Sequence, residues 1–490
     1  MPSRHLRLLA DADRIRAALD ALRTELEVPG DFPAEVVAAA ERSAAEVVLP
    51  DHDLTEIPFV TIDPPTSMDL DQALHLERDG DGYRVRYAIA DVAAFVEPGG
   101  PVDAEAHARG QTLYGPDRRT PLHPPELSEA AASLLPDQVR PALVWELRLD
   151  HAGELTSADL RRARVRSHAK LAYEDVQRDI DAGAAGDMLA LLPEVGKLRL
   201  DRERARGGVS LPIPEQDVVI AGGGFGLEYR SPLPVEGWNA QISLLAGMAA
   251  ADLMRTAGIG ILRTLPAADE RDVARLRRTA RALRVDWPDS VTYAEFIPTL
   301  DPTRPNHAAL LDAATVVFRG AGYLAFDGAA PEDGRHAAIA DEYAHVTAPL
   351  RRLVDRYALE VCAAVTAGVE VPAWVRDGLP GLPETMSQSD RRAGAFESAC
   401  VNLVEAALMT GREGERFEGV VVEVHDKEPR GTVAVAEPAV QGRLDGANLP
   451  LGEKVTVELR EASLERRTIT FVLAAAGGPP SAVPDAGEPA

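Results

Sequence analysis

At 490 residues, with 52 Lys and Arg against 78 Asp and Glu, the chain carries a formal net charge of −26. That charge argues against indiscriminate nucleic-acid binding while leaving room for a local basic channel. The 46% hydrophobic content is that of a globular protein with space for roughly two to four domains. No apolar run reaches the roughly 18 residues of a membrane span, and the charges within residues 1–16 do not read as a signal peptide. Two cysteines, Cys362 and Cys400, are too few for a disulfide framework or a zinc site and point to a reducing, cytoplasmic setting. Only four lysines among so many arginines reflect the genome-level bias of a GC-rich bacterium.

Residues 1–50 read as a helical arm. Ile15, Leu19, Leu22 and Leu26 recur at helical spacing, Pro29-Gly30 interrupts, and an Ala-rich helix follows over 34–48. Residues 51–150 are mainly strands. Phe59-Val60-Thr61-Ile62 has the pattern of a buried strand, which Asp63 closes. Pro64-Pro65 then forbids both helix and ladder pairing, so the chain opens into a loop that delivers Asp69 and Asp71. Three carboxylates this close repel one another unless a positive group sits between them. A hard divalent cation with oxygen ligands, such as Mg2+, is one partner; a plain acidic surface loop is the alternative. The EF-hand pattern is absent.

A hairpin is predicted from 73–78 and 83–90 around Asp79-Gly80-Asp81-Gly82. A helix follows over 103–109, then a loop with Tyr114, Pro116, Arg118 and Arg119, a short helix from Leu127, and strands over 144–149 and 160–165. Residues 170–410 read as mostly helical, with segments at 173–182, 187–206, 238–256, 269–283, 308–318, 350–367 and 387–409, and a linker over 368–383. Gly222-Gly223-Gly224 reads as a turn, since no strand-glycine-helix context supports a dinucleotide loop. From Glu415 the period changes to two, and four short runs predict a five-stranded OB-like barrel. The Gly/Pro/Ala-rich end is expected to be a disordered tail. Two stretches, Arg161-Arg-Ala-Arg and onward to Lys170 and Lys197 to Arg206, are basic. They read most simply as solvated faces, and otherwise as the places where a phosphate backbone would run.

The stretch from Phe59 to Gln72 resembles the signature of the ribonuclease II / ribonuclease R (RNB) family: a strand, Asp, five residues, Asp, one residue, Asp-Asp. Asp63, Asp69 and Asp71 fall on its first three positions. Further matches follow in the family's order: Tyr87-Ala-Ile-Ala-Asp-Val, Arg109-Gly-Gln-Thr-Leu-Tyr114 with its Asp117-Arg118-Arg119, Leu127-Ser128 through Arg140-Pro141, Lys170-Leu-Ala-Tyr173, and His336 with Tyr343-Ala-His-Val-Thr-Ala-Pro-Leu-Arg351-Arg352. The resemblance implies an α+β fold, with an RNB-type catalytic domain of antiparallel strands wrapped by helices and threaded by RNA. It is of the bacterial short form, without the family's two N-terminal cold-shock barrels. The expected division is 1–50 arm, 51–411 catalytic domain, 412–474 OB-like barrel and 475–490 tail.

The activity the resemblance implies is hydrolytic, Mg2+-dependent (Mn2+ also possible) removal of nucleotides from single-stranded RNA in the 3′→5′ direction, by a cytoplasmic monomer without a membrane partner. Asp63, Asp69 and Asp71 would hold metal, with Gln72 at the fourth position and Asp71 the most strictly needed. Tyr114 would contact the terminal bases, Tyr173 the reacting nucleotides, Arg351 the scissile phosphate and Glu397 the terminal nucleotide. A planar guanidinium suits a phosphate in transition, and aromatic stacking suits a nuclease indifferent to sequence. The departures are Gln72 where the family has a fourth Asp, Ala348 for a serine, and Val346 for an aromatic. A second implied reading is an RNA-binding protein on a catalytically weakened RNB scaffold. Few aromatics, chiefly Phe417 and Phe471, mark the C-terminal barrel, which makes a poor stacking platform.

Overall fold

Two closed five-stranded barrels frame the chain in the computed structural model, which describes residues 12–474 apart from 211–214, 222–223, 231, 426–427 and 436. The turn read at Gly222-Gly223 and the tail read over 475–490 lie outside the described residues. The first barrel comprises β1 (Phe59–Ile62), β2 (Gln72–Asp79), β3 (Gly82–Ala90), β6 (Val139–Leu149) and β7 (Leu155–Leu171). Between β3 and β6 lie α3 (Pro101–Arg109) and two short paired strands, β4 (Leu113–Tyr114) and β5 (Arg119–Thr120). Neighbours are antiparallel except at the seam, where β1 runs parallel to β7 with Ile62 opposite Leu171. The period of two sends Val85, Tyr87 and Ile89 into one hydrophobic cluster with Trp145 and Leu147. Ala88, Ala90, Ala142 and Val144 go to another, so both faces of the sheet are covered.

The arm is built into this body. From α1 (Ala12–Glu25), Ile15, Leu19 and Leu22 pack on Phe396, Cys400 and Leu403 of the long helix α12 (Leu382–Met409). From α2 (Ala34–Glu46), Val36 and Ala40 join the cluster of Phe59 and Leu70. The middle of the chain holds α4 (Tyr173–Asp181), α5 (Asp187–Arg206), β8 (Glu215–Ala221), β9 (Gly224–Arg230) and α6 (Pro234–Ala257). It continues through β10 (Ile259–Thr264), α7 (Glu270–Ala282), α8 (Tyr293–Phe296), α9 (Pro305–Ala314) and β11 (Gly322–Asp327). It closes with β12 (Arg335–His336), β13 (Asp341–Glu342), α10 (Leu353–Ala367) and α11 (Ala373–Gly378). Helix α6 is apolar nearly all round because it runs through the core. Its Gly247 has no side chain to spare: a Cβ there would lie 2.1 Å from the Tyr343 ring. That close approach seats the segment 343–352, hereafter the strap.

Three readings of this region need correction. β10 and β11 pair antiparallel in a stretch read as mostly helical, where no strand was expected over either segment. Residues 368–383 are no linker, because α11, a 3-10 turn over Leu379–Gly381 and the start of α12 bury Val375, Leu379 and Leu382 there. β7 spans 17 residues instead of the short strand expected over 160–165. The second barrel, β14 (Arg416–Val424), β15 (Arg430–Val435), β16 (Val440–Asp445), β17 (Lys454–Ser463) and β18 (Thr468–Leu473), has the predicted strand number and closes through a parallel β16–β18 pair. Phe417 and Phe471 meet edge to face inside its core, at 6.0 Å between ring centroids, and offer no exposed platform. Among the described residues, no helix is long and apolar enough to cross a membrane.

Candidate active site

The acidic loop between β1 and β2 is held along its whole length. The Asp63 N–H donates to the Leu171 carbonyl at 3.0 Å, continuing the β1–β7 seam by one residue before Pro64-Pro65 ends it. Lys170 then donates to the carbonyls of Pro65 (2.8 Å) and Ser67 (2.5 Å). Ser133 Oγ accepts from the Leu70 N–H at 2.9 Å and donates to the Met68 carbonyl at 2.6 Å. Leu70 itself is fully buried and anchors the loop, so Asp69 and Asp71 project from a backbone with little freedom.

The strap lies across Asp71. Asp71 Oδ1 accepts from the Leu350 N–H at 2.7 Å, and its Oδ2 stands 3.5 Å from Arg351 Nε. The Ala348 N–H donates to Asp355 Oδ1 at 2.7 Å, and Asp355 is in turn gripped by Arg352 through two contacts of 2.8 Å. Arg351 is thereby left pointing at the carboxylates and is the common electrostatic neighbour of Asp63, Asp71, Tyr114 and Tyr173. Burial pushes the Asp71 carboxyl up to about 8, against the pull of Arg351 and the Leu350 N–H, with Asp355 and Asp69 adding to the rise. Burial likewise pushes Asp63 up to about 6, with Arg351 and Lys170 opposing and Asp69 adding. Asp69 is turned aside to Arg119 at 2.5 Å, and Arg119 also meets Glu129 at 2.8 Å.

The structure brings six of the eight expected residues into one group: Asp63, Asp69, Asp71, Tyr114, Tyr173 and Arg351. Tyr114 is exposed and sits opposite Arg119 in the β4–β5 pair. Tyr173 opens α4, and its hydroxyl accepts from Asn239 Nδ2 at 3.3 Å. Glu397 stands outside the interactions that define the group. It is exposed on α12, where its charge acts on Cys400 beside Arg23 and Asp117.

Gln72 departs from the expectation of a fourth metal ligand for a different reason. Its Nε2 donates to the Thr347 carbonyl at 2.5 Å, and its Oε1 accepts from the Tyr87 hydroxyl at 3.2 Å. Tyr87 is in turn 2.8 Å from Ser243 Oγ on α6. Both ends of the amide are committed within the protein.

The two basic stretches are largely consumed by structure. Arg162 pairs with Asp91 and Glu360, Arg164 with Asp53, Arg202 with Glu154 and Arg206 with Asp341, while Arg199 donates to the Gly153 carbonyl. Lys170, Ser133, Arg119 and Tyr87 are the functional supports that reasoning from the sequence did not single out. All four lie within the family motifs, without a role of their own. Ser243, in the middle of an apolar helix, carried no signal.

Two buried carboxyls held above the usual carboxylate range are short of positive charge, and oxygen donors of this kind fit a hard divalent cation. Among the described residues, no group of three His, Cys, Asp or Glu side chains converges as a metal cluster, because Asp69 is drawn to Arg119 and Asp71 to the strap. The donor set thus fits the ion in charge and type at Asp63, Asp69 and Asp71, while the Gln72 oxygen is neutral and already accepts from Tyr87.

Fold and site define a class: a barrel protein with a buried acidic site faced by Arg351 and Arg119, followed by a second, OB-like barrel. The RNB domain matches residues 51–367, so the chain belongs to the RNB family, and the RNase II-type exonuclease C-terminal S1 domain matches residues 415–474. Ribonuclease R of Aquifex aeolicus is 25% identical over 507 residues, covering 93% of this chain and 70% of that one. Ribonuclease R of Escherichia coli K12 is 27% identical over 511 residues, and the chain spans only 61% of its length. Among solved structures, Mycoplasma genitalium RNase R in complex with ribose-methylated single-stranded RNA superposes with a TM-score of 0.83 at 18% identity, covering 94% of this chain and 78% of that one. Yeast Ssd1, a pseudonuclease, gives 0.68 at 16% identity, covering 92% and 58%. At these identities the likeness to the solved structures bears on the fold alone.

Proposed function

We propose that this protein is a metal-dependent hydrolytic 3′→5′ exoribonuclease that degrades single-stranded RNA to nucleoside 5′-monophosphates. It would act as a cytoplasmic monomer, with residues 51–411 as the catalytic unit and 412–474 as an accessory barrel. The observation that carries the reading is the strap holding Arg351 over the buried Asp71, with Asp63 and Asp69 alongside, in a chain of the RNB family. The ribonuclease R relatives, matched along more than nine-tenths of this chain, support an RNA substrate.

The chain's own groups divide the work. Asp63, Asp69 and Asp71 would hold Mg2+ or Mn2+. Such an ion supplies a more acidic water and a sink for charge on the leaving oxygen. With Asp71 Oδ1 occupied by the Leu350 N–H, Oδ2 is the atom left to face the reaction. Arg351 presents a planar fork to the scissile phosphate and meets the charge that grows on it in the transition state. Tyr114 and Tyr173 offer aromatic faces for the last bases, a contact worth roughly 1–3 kcal/mol per base and tolerant of sequence. Glu397 would contact the terminal nucleotide from α12.

The test is direction. RNA labelled at its 5′ end should shorten through a ladder to a short limit product, and the same RNA labelled at its 3′ end should release labelled mononucleotide from the first time point. Internal fragments from both substrates would sink the reading. The commitment of Gln72 to protein partners favours the second reading, an RNA-binding protein on a weakened scaffold. Tight RNA binding with no hydrolysis at any Mg2+ or Mn2+ concentration would establish it.

A further inference from the structure

We infer that Gln72 is a positioning residue: its amide locks the Arg351 strap in register over Asp71, and the position is built for a hydrogen-bond donor, not for a metal-binding carboxylate. The inference rests on the proposed reading for its consequence in catalysis, and on geometry alone for the lock itself.

The orientation of the amide follows from its neighbours. A carbonyl oxygen can only accept, so the Gln72 atom facing the Thr347 carbonyl must be the NH2 group. The remaining oxygen then faces the Tyr87 hydroxyl, which donates to it and is backed by Ser243. Tyr87 is available because it stands opposite Leu74 in the β2–β3 pairing, one same-face step from Gln72. Adjacent residues therefore hold two points of the strap with opposite polarity. Asp71 accepts from the Leu350 N–H, and Gln72 donates to the Thr347 carbonyl. A strap shifted by one residue would meet neither partner.

Among the described residues Gln72 supplies the donor recorded at the Thr347 carbonyl; an ionised Glu at position 72 would set oxygen against that carbonyl, and the shorter Asp would leave it unpaired. Restoring the family's fourth Asp would therefore cost this chain the hydrogen bond that holds Thr347. Glu replaces the amide with nearly the same shape and removes the donor once it is ionised, so the variant is compared with the wild type at low and high pH: a protonated Glu keeps the lock and an ionised one loses it.

The experiment is hydrogen exchange over residues 343–352 in the wild type, Gln72→Glu and Tyr87→Phe, with Mn2+ binding to the RNA-free protein and steady-state hydrolysis measured beside it. Gln72→Glu should speed exchange in the strap about 10-fold, since a buried carbonyl is left without its partner. Tyr87→Phe, which frees the far end of the amide, should give a smaller acceleration in the same segment. Hydrolysis by Gln72→Glu should lose kcat with KM held. Gln72→Asp should bind Mn2+ within about twofold of the wild type and hydrolyse RNA no faster, as a lost lock and no gained ligand require. Unchanged strap exchange in both Gln72→Glu and Tyr87→Phe would overturn the inference, as would tighter Mn2+ binding with faster hydrolysis in Gln72→Asp. If the wild type hydrolyses no RNA, the proposed function falls, while the exchange comparison still decides the lock.

Discussion

Asp71 is the residue on which burial and function pull hardest. It is 3% exposed, and burial pushes its carboxyl up to about 8. Unfolded, it and Asp63 would titrate near 3.8, so both hold their protons more tightly when folded. Their contribution to stability is therefore complete below about pH 4. It is lost as pH rises through about 6 for Asp63 and about 8 for Asp71. In the metal-free protein the melting temperature should fall across this window. Asp71→Asn keeps an oxygen for the Leu350 N–H and should flatten the profile between about pH 6 and 8. A parallel fall in both proteins would contradict the assignment. The carboxylates were legible in the sequence because proline and spacing mark the loop. Their burial was not, since it is imposed by a strap almost three hundred residues away in the chain. Gln72 was legible as a departure, while its partner Thr347, and Ser243 that backs Tyr87, were hidden because they lie far away in the chain.

At the scale of the element, the acidic loop is a backbone held by side chains. Ser133 serves two loop groups at once, so Ser133→Ala leaves the Leu70 N–H and the Met68 carbonyl unpaired. The expected cost is about 1–3 kcal/mol, read as a lower denaturation midpoint, and an unchanged midpoint would show that the loop is held otherwise. The β2–β3 hairpin was readable because two alternating strands flank a two-residue turn at Gly80-Asp81, with Gly80 at φ 64°. β10 and β11 were not, because the partner of each six-residue strand lies beyond three intervening helices. The misread linker has a related cause. Pro372 and Pro380 suggest a break, yet proline is tolerated at helix starts, and Val375 and Leu379 supply the buried face.

Across the whole molecule, the arm and the long helix α12 brace the loop that carries Tyr114. Arg23 of α1 pairs with Asp117 at 2.5 Å, and its guanidinium lies 5.6 Å from the Phe396 ring centroid. Leu19→Ala opens the fully buried α1–α12 contact and should cost about 2–5 kcal/mol of stability, measured as a drop in melting temperature. Retention of the wild-type melting temperature would show that the arm is an appendage. The second barrel was predictable from period-two strands alone. The first was seen only as strands, since closure depends on the parallel β1–β7 seam between segments some hundred residues apart.

The central claim is that the Asp71–Arg351 site hydrolyses RNA. The measurement that meets it most directly is single-turnover decay of a 5′-labelled single-stranded RNA with Mg2+ or Mn2+, for the wild type and Asp71→Asn, with RNA affinity measured in parallel. The account predicts stepwise shortening by the wild type and a rate at least about 100-fold lower in the variant, with affinity for RNA kept. Equal rates in the two proteins, or intact RNA with both, would contradict it.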